Sequence, residues 1–142
     1  MKINNKINII NIMDHNKILK ISKTAFFVGL VGDILLQLIT HLRGNFAGLK
    51  HYFYTHGKLE SLFIASGIMF LFMYIYLSVG LPYSIIYLFI YGALLDLLFR
   101  YGNLFPSLEE YYKVMSVRNS ALWGGLPFLF VYYADNYINK IR

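Results

Sequence analysis

The sequence predicts an all-α membrane protein: a transmembrane bundle of four helices arranged as two parallel span–amphipathic segment–span repeats. Three observations predict it. The chain is 58% hydrophobic and 14% charged, with a mean hydropathy of +0.53. A soluble domain carries about 25% charged residues, and a chain of 142 residues cannot bury so much apolar surface in one water-soluble core. Four long apolar stretches follow one another, separated by polar, aromatic connections. Finally, the scarce polar residues inside those stretches recur at matching places in the two halves.

The first stretch, TAFFVGLVGDILLQLITHL, covers residues 24–42. It is long enough to cross a bilayer at about 1.5 Å rise per residue, yet it holds an acid at its midpoint. Ala25, Gly29, Asp33, Gln37 and His41 stand four residues apart, so they form one slowly drifting row on a helix otherwise made of Phe, Val, Leu and Ile. Such a helix shows lipid to one side and reserves small and polar groups for protein or water. The second stretch is SLFIASGIMFLFMYIYLSV, residues 61–79, uncharged, with Ser66 and Gly67 as a close-packing spot. Gly80 and Pro82 predict a tight turn. The third runs from Pro82 to Phe99, and the fourth from Ser120 to Ala134 with an extension to Ile138. The fourth is short and contains Pro127; in a membrane, neighbouring helices re-satisfy the carbonyls that Pro127 leaves without a donor.

Between spans one and two lies RGNFAGLKHYFYTHGKLES, and between three and four YGNLFPSLEEYYKVMSVRN. Glycines and charges argue against membrane crossing, and clustered tyrosines and phenylalanines argue for residence at the interface. Residues 1–23 form a basic N-terminal segment with Lys2, Lys6, Lys17, Lys20 and Lys23, opposed by Asp14. It lacks the apolar core and small-residue cleavage site of a signal peptide and is expected to be retained. Asp14 or Asn16 is placed to cap a helix leading into the first span. Residues 24–142 form the four-span domain. Four spans leave both termini on one side, and lysine density before the first span, with Lys140 and Arg142 at the end, makes that side cytoplasmic. The same lysines favour anionic lipid as a partner. No nucleic-acid motif accompanies them.

The halves, about 24–79 and 82–138, match in detail. Gly29, Asp33 and Gln37 correspond to Gly92, Asp96 and Arg100, and Gly44-Asn45 to Gly102-Asn103. Leu49, Tyr52 and Phe53 correspond to Leu108, Tyr111 and Tyr112; Ser61 to Ser120; the Ala65-Ser66 pair to Gly124-Gly125. Two spans per unit make the repeats parallel, related by an axis along the membrane normal. One gap is needed, and a Leu-, Phe- and Tyr-rich alphabet supplies chance matches, so coincidence is the rival explanation.

Candidate functional residues are few. A charged Asp33 at mid-span costs roughly 2.5–3.5 kcal/mol on insertion scales. Either Asp33, Gln37 and His41 line an ion or proton path, or Asp33 is interhelical glue, bonded to Arg100 or another partner across a helix contact. Asp96 and Arg100, one turn apart, are expected to pair within the membrane. Gly29, Gly92, Ser66, Gly67, Gly124 and Gly125 are expected at helix contacts. With no cysteine, thiolate metal sites and cysteine nucleophiles are excluded. His41, His51, His56 and Glu60 lack metal-site spacing, so no metal and no cofactor is expected. Phosphate-loop, nucleophile-elbow and potassium-filter motifs are absent from the sequence.

The segments GDILLQ, LKHYFYTHGKLESLFIASG, YGALLDLLFRYGN and FPSLEEYYKVMSVRNSALWGGLPF resemble small uncharacterised multi-span membrane proteins of large nucleocytoplasmic DNA viruses, over residues 26–135. The Asn-, Ile-, Lys- and Tyr-rich usage suits an AT-rich genome. The resemblance implies residence in a virion's internal membrane or envelope, or in infected-cell membranes, and implies no catalytic residues. The expectation is a non-enzymatic integral membrane protein with a structural or scaffolding role, oligomeric or bound to another membrane or coat protein. The alternative is a small ion or proton channel, or proton-coupled transporter, using the Asp33, Gln37, His41 row.

Overall fold

A computed structural model describes residues 13–141; most of the basic N-terminal segment lies outside the described residues. Every regular element among them is helical. Helix α1 spans His15–Arg43, α2 Lys50–His56, α3 Lys58–Val79, α4 Ile85–Gly102, α5 Glu109–Val114 and α6 Val117–Ile141. Short 3-10 turns, Phe46–Gly48 and Pro106–Leu108, precede α2 and α5.

The apolar stretches became helices because their rows of small and polar residues fall on one side. In α4, Leu88, Gly92 and Asp96 are buried, while Ile86, Ile90, Leu94 and Leu98 face outward. In α1 the buried row is Ile18, Ser22, Ala25, Gly29 and Asp33, with Phe27, Val31, Ile34 and Leu38 exposed. This is the reverse of a water-soluble helix, which turns such side chains inward. By length and composition, α1, α3 and α4 are able to cross a membrane. The fourth expected span, α6, has 25 residues. It begins with Arg118 and Asn119 and carries Asp135, Asn136, Asn139 and Lys140 near its end, which shortens its apolar stretch.

Helix ends follow local chemistry. Asp14 precedes α1, but its side chain makes no capping bond. α3 ends at Gly80, whose left-handed φ of 90° lets its N–H reach back to Leu77 and Tyr76. Pro82 then holds the chain in a turn, so α4 starts at Ile85, three residues beyond the expected Pro82. α4 ends at Asn103, itself left-handed.

Two antiparallel hairpins result. Advancing along α1 from Gly29 through Asp33 to Gln37, the facing residues on α3 are Ala65, Ser61 and Lys58. Along α4, Phe89, Gly92 and Arg100 face Gly125, Gly124 and Ser120 of α6. The glycines set both contacts. A Cβ on Gly29 would lie 2.7 Å from the Ala65 carbonyl oxygen, and one on Gly92 would collide with the Gly124 carbonyl oxygen. Close backbone approach of this kind drives helix association in lipid, where apolar burial supplies no net gain. Ile21, Ala25, Met73, Tyr76, Leu77, Leu88, Phe128 and Val131 join the hairpins in one core near the α1 start. At the opposite end the connecting segments pack crosswise, the first 3-10 turn on α5 and the second on α2. Gly48 there lies flat against the backbone of Glu110.

Of the six small residues expected at helix contacts, five are at contacts. Ser66 is fully buried and donates to the Leu62 carbonyl of its own helix. Gly67 is the exception: its missing Cβ faces open space. Neighbouring residues point about 100° apart on a helix, so only Ser66 of the pair turns inward. Gly92→Ala is therefore expected to lower the thermal midpoint in detergent, by about 1–3 kcal/mol of overpacking. Gly67→Ala should leave it unchanged or raise it through helix propensity, by up to about 1 kcal/mol.

Candidate functional site

Asp33, Gln37, Ser61, Asp96, Arg100 and Ser120 collect in one layer, a turn beneath the connecting segments. Asp33 is 5% exposed. The Ser61 hydroxyl donates to its two oxygens, at 2.8 and 2.7 Å. Gln37 Nε2 donates to Asp33 Oδ2 at 2.7 Å and to the Lys58 carbonyl at 2.9 Å. The carboxyl thus receives bonds from its own helix and from the next. Its level is the first turn of α3, so it sits toward the loop end of the hairpin rather than halfway down it. Gln37 thereby also ties α1 to the first residue of α3.

The second hairpin has the same residues in the same layer, differently connected. Asp96 is 8% exposed, and its Oδ2 is buried with no hydrogen-bond partner. Ser120 stands next to it, but that hydroxyl accepts from Arg100 Nη2 at 2.9 Å and donates to the Val117 carbonyl at 3.3 Å. The expected Asp96–Arg100 ion pair does not form: no nitrogen–oxygen approach within 4.0 Å joins them. Arg100 instead donates to the Tyr112 carbonyl at 3.0 Å and the Met115 carbonyl at 2.7 Å, with its guanidinium 4.9 Å from the Tyr112 ring centre. The physical reason is the end of α5. That six-residue helix presents carbonyls with no intrahelical donor, and a planar guanidinium with five donors closes them better than it serves one carboxylate.

Tyr52 of α2 and Tyr111 of α5 roof the two acids. Burial first, then the negative charge of Asp33, pushes the Tyr52 phenol up to about 12. Burial and the charge of Asp96 push Tyr111 and Tyr112 up as well. These phenols stay neutral and act as hydrogen-bonding groups through the whole ordinary pH range.

The row proposed for an ion path divides. Asp33 and Gln37 are bonded to each other, whereas His41 is exposed on the last turn of α1. A step of four residues drifts about 40°, and two steps carry His41 off the buried face. The other histidines are scattered. His56 lies 2.7 Å from Ser107 Oγ and 3.5 Å from Glu60, tying α2 to the second 3-10 turn, and His51 approaches Thr55. Among the described residues, no three metal-ligating side chains converge. Glu109 pairs with Lys113 at 3.2 Å on the exposed face of α5.

Two features escaped the sequence reading. Asp135 is 2% exposed and accepts from the Tyr83 hydroxyl at 3.0 Å; an i+52 partner leaves no periodic trace. The second is a cavity of about 750 Å³ between the hairpins, with Asp33 and Asp96 both in its wall. No residue pattern announces an empty volume.

A double-mutant cycle tests the layer. Ser61→Ala and Asp33→Asn should each destabilise the hairpin and be non-additive, with a coupling of about 1 kcal/mol measured by unfolding in detergent. Asp96→Asn with Arg100→Gln should be additive. Comparisons of the chain with protein-family models, with curated proteins and with solved structures find no match.

Proposed function

We propose that the protein is a four-span integral membrane protein with a structural role, in which α6 crosses the bilayer beside the three more apolar helices. The observation that carries this reading is the destination of the polar groups in the spans. Asp33 is held by Ser61 and Gln37, Asp135 by Tyr83, and Arg100 by the end of α5 and Ser120. All of these bonds except Gln37 to Asp33, which lies within α1, join one helix to another element of the chain. Side chains that must be kept from hydrocarbon are used to fasten helices together, as a scaffold requires. The outward residues of all four long helices, such as Phe27, Leu71, Ile90 and Phe130, offer an apolar surface suited to acyl chains or to another helix.

The two halves arise by duplication in this reading. What supports it is that equivalent contacts recur with the register of the sequence match: Gly29 on Ala65 and Gly92 on Gly124, Asp33 by Ser61 and Asp96 by Ser120. The crosswise contact of each 3-10 turn with the other half's short helix is what a two-fold axis along the membrane normal would generate. Both termini then lie on the lysine-rich, cytoplasmic side. In this reading the scaffold resides in a viral internal membrane or envelope, self-associated or bound to a coat protein, as the sequence resemblance to viral multi-span proteins implies.

The cysteine-free chain allows a direct topology test. Single cysteines at Asn45 and Asn119 should react with a membrane-impermeant maleimide from one side of sealed vesicles, and those at Asn16 and Asn139 from the other. Labelling of 119 and 139 from the same side would remove the fourth span. Reconstituted vesicles should show no proton flux above protein-free vesicles; flux that Asp33→Asn abolishes would replace the scaffold with a channel.

A further inference from the structure

The cavity between the hairpins has an unusual chemistry for a gap between membrane helices. Its volume, about 750 Å³, falls in the range of sites that hold small organic molecules, roughly 300–1,000 Å³. The wall is almost wholly apolar and strongly aromatic, with Phe46, Tyr52, Phe99, Phe105, Tyr111 and Trp123 contributing rings. Among the residues that line it, Asp33 and Asp96 are acidic and none is Lys, Arg or His.

The two acids are not equivalent. Asp33 is satisfied by Ser61 and Gln37. Asp96 is not: its Oδ2 is buried without a donor, and Asp96 is one of the residues of the cavity wall. Its nearest cation, Arg100, is committed to backbone carbonyls. A buried carboxylate oxygen without a donor is costly, and the Asp96 side chain that carries it lines the cavity.

The cavity is also reachable from the side. Leu35 of α1 and Trp123 and Phe130 of α6 line it, yet are 52%, 49% and 58% exposed on the outer, apolar face. The opening therefore lies between α1 and α6, at the level of the spans, under the roof of the connecting segments. A molecule dissolved in the bilayer enters without crossing water.

We propose that this cavity binds a single-chain lipid amine from the surrounding bilayer, its hydrocarbon chain among the aromatic rings and its ammonium group on Asp96. An ammonium supplies the missing donors and the opposing charge, and ring faces attract cations. A neutral lipid supplies no charge, and a phosphate-bearing one would meet two carboxylates.

Trp123 is the one tryptophan of the chain and stands on the lip of the cavity, so its fluorescence reports occupancy. The purified full-length protein, in phosphatidylcholine nanodiscs, is titrated with octadecylamine and with octadecanol. The amine should change Trp123 emission saturably, with an affinity at least about tenfold above that of the alcohol, as a charge-assisted hydrogen bond requires. Asp96→Asn should bring amine and alcohol to the same weak affinity. Gly32 lines the cavity, and a side chain added there meets nothing within 4 Å, so Gly32→Leu should fill the space and abolish the saturable response with the thermal midpoint retained. That second variant keeps the test decisive if Asp96→Asn fails to fold. Equal responses to amine and alcohol in the unmodified protein, or amine binding that survives Gly32→Leu, would overturn the proposal.

Discussion

Hydrocarbon offers no hydrogen bonds, and that constraint bears on each of the three helices long and apolar enough to cross a membrane, α1, α3 and α4. A polar group carried into a span must find its partner within the protein. Asp33 does so with the Ser61 hydroxyl, whose one proton is shared between the two carboxyl oxygens, and with the Gln37 amide. Those bonds need α1 and α3 close together, and Gly29 against Ala65 allows the approach one turn away. The acid, the serine and the glycine therefore form one device. Removing the glycine would pull the serine away from the acid, and removing the serine would leave the acid facing an apolar cavity.

The second hairpin solves the same problem with a different residue. Arg100 stands where Gln37 stands in the first, and its longer, forked side chain reaches past the acid to the carbonyls at the end of α5. The connecting segment of the second half is thereby fastened to its span. In the first half the Asn45 side chain accepts from the Lys50 N–H within the connecting segment, and Gln37 ties α1 to Lys58 of α3. The cost of the exchange is that Asp96 loses its partner. Where the first hairpin has a satisfied acid, the second has a clamped loop, and the proposed ligand chemistry at the cavity rests on that asymmetry.

Much of this was legible in the residues. Four apolar stretches, the Gly-Asn turns and the aromatic connections marked the helices within a few residues, because composition and period decide those features locally. Asp33 as interhelical glue was legible as one of two readings; its partners, Ser61 and Gln37, were not chosen among several polar candidates. The ion pair of Asp96 with Arg100 was the natural reading of an i, i+4 spacing. It failed because spacing records who is within reach, whereas the end of α5 competes for the same guanidinium. Gly67 and His41 mark the same limit: a small or polar residue beside a buried one turns outward with the helix. The cavity and the Tyr83–Asp135 bond depend on how two hairpins lean together, which no local pattern encodes.

The central claim is that four helices sit in lipid with their polar layer walled inside. Collision measurements on nitroxide labels test it most directly, using single cysteines at positions 27, 71, 90 and 130 in reconstituted bilayers. High collision rates with oxygen and low rates with a water-soluble nickel chelate at all four positions are expected. A label at 130 on α6 that meets the nickel chelate as freely as one in a loop would contradict the account.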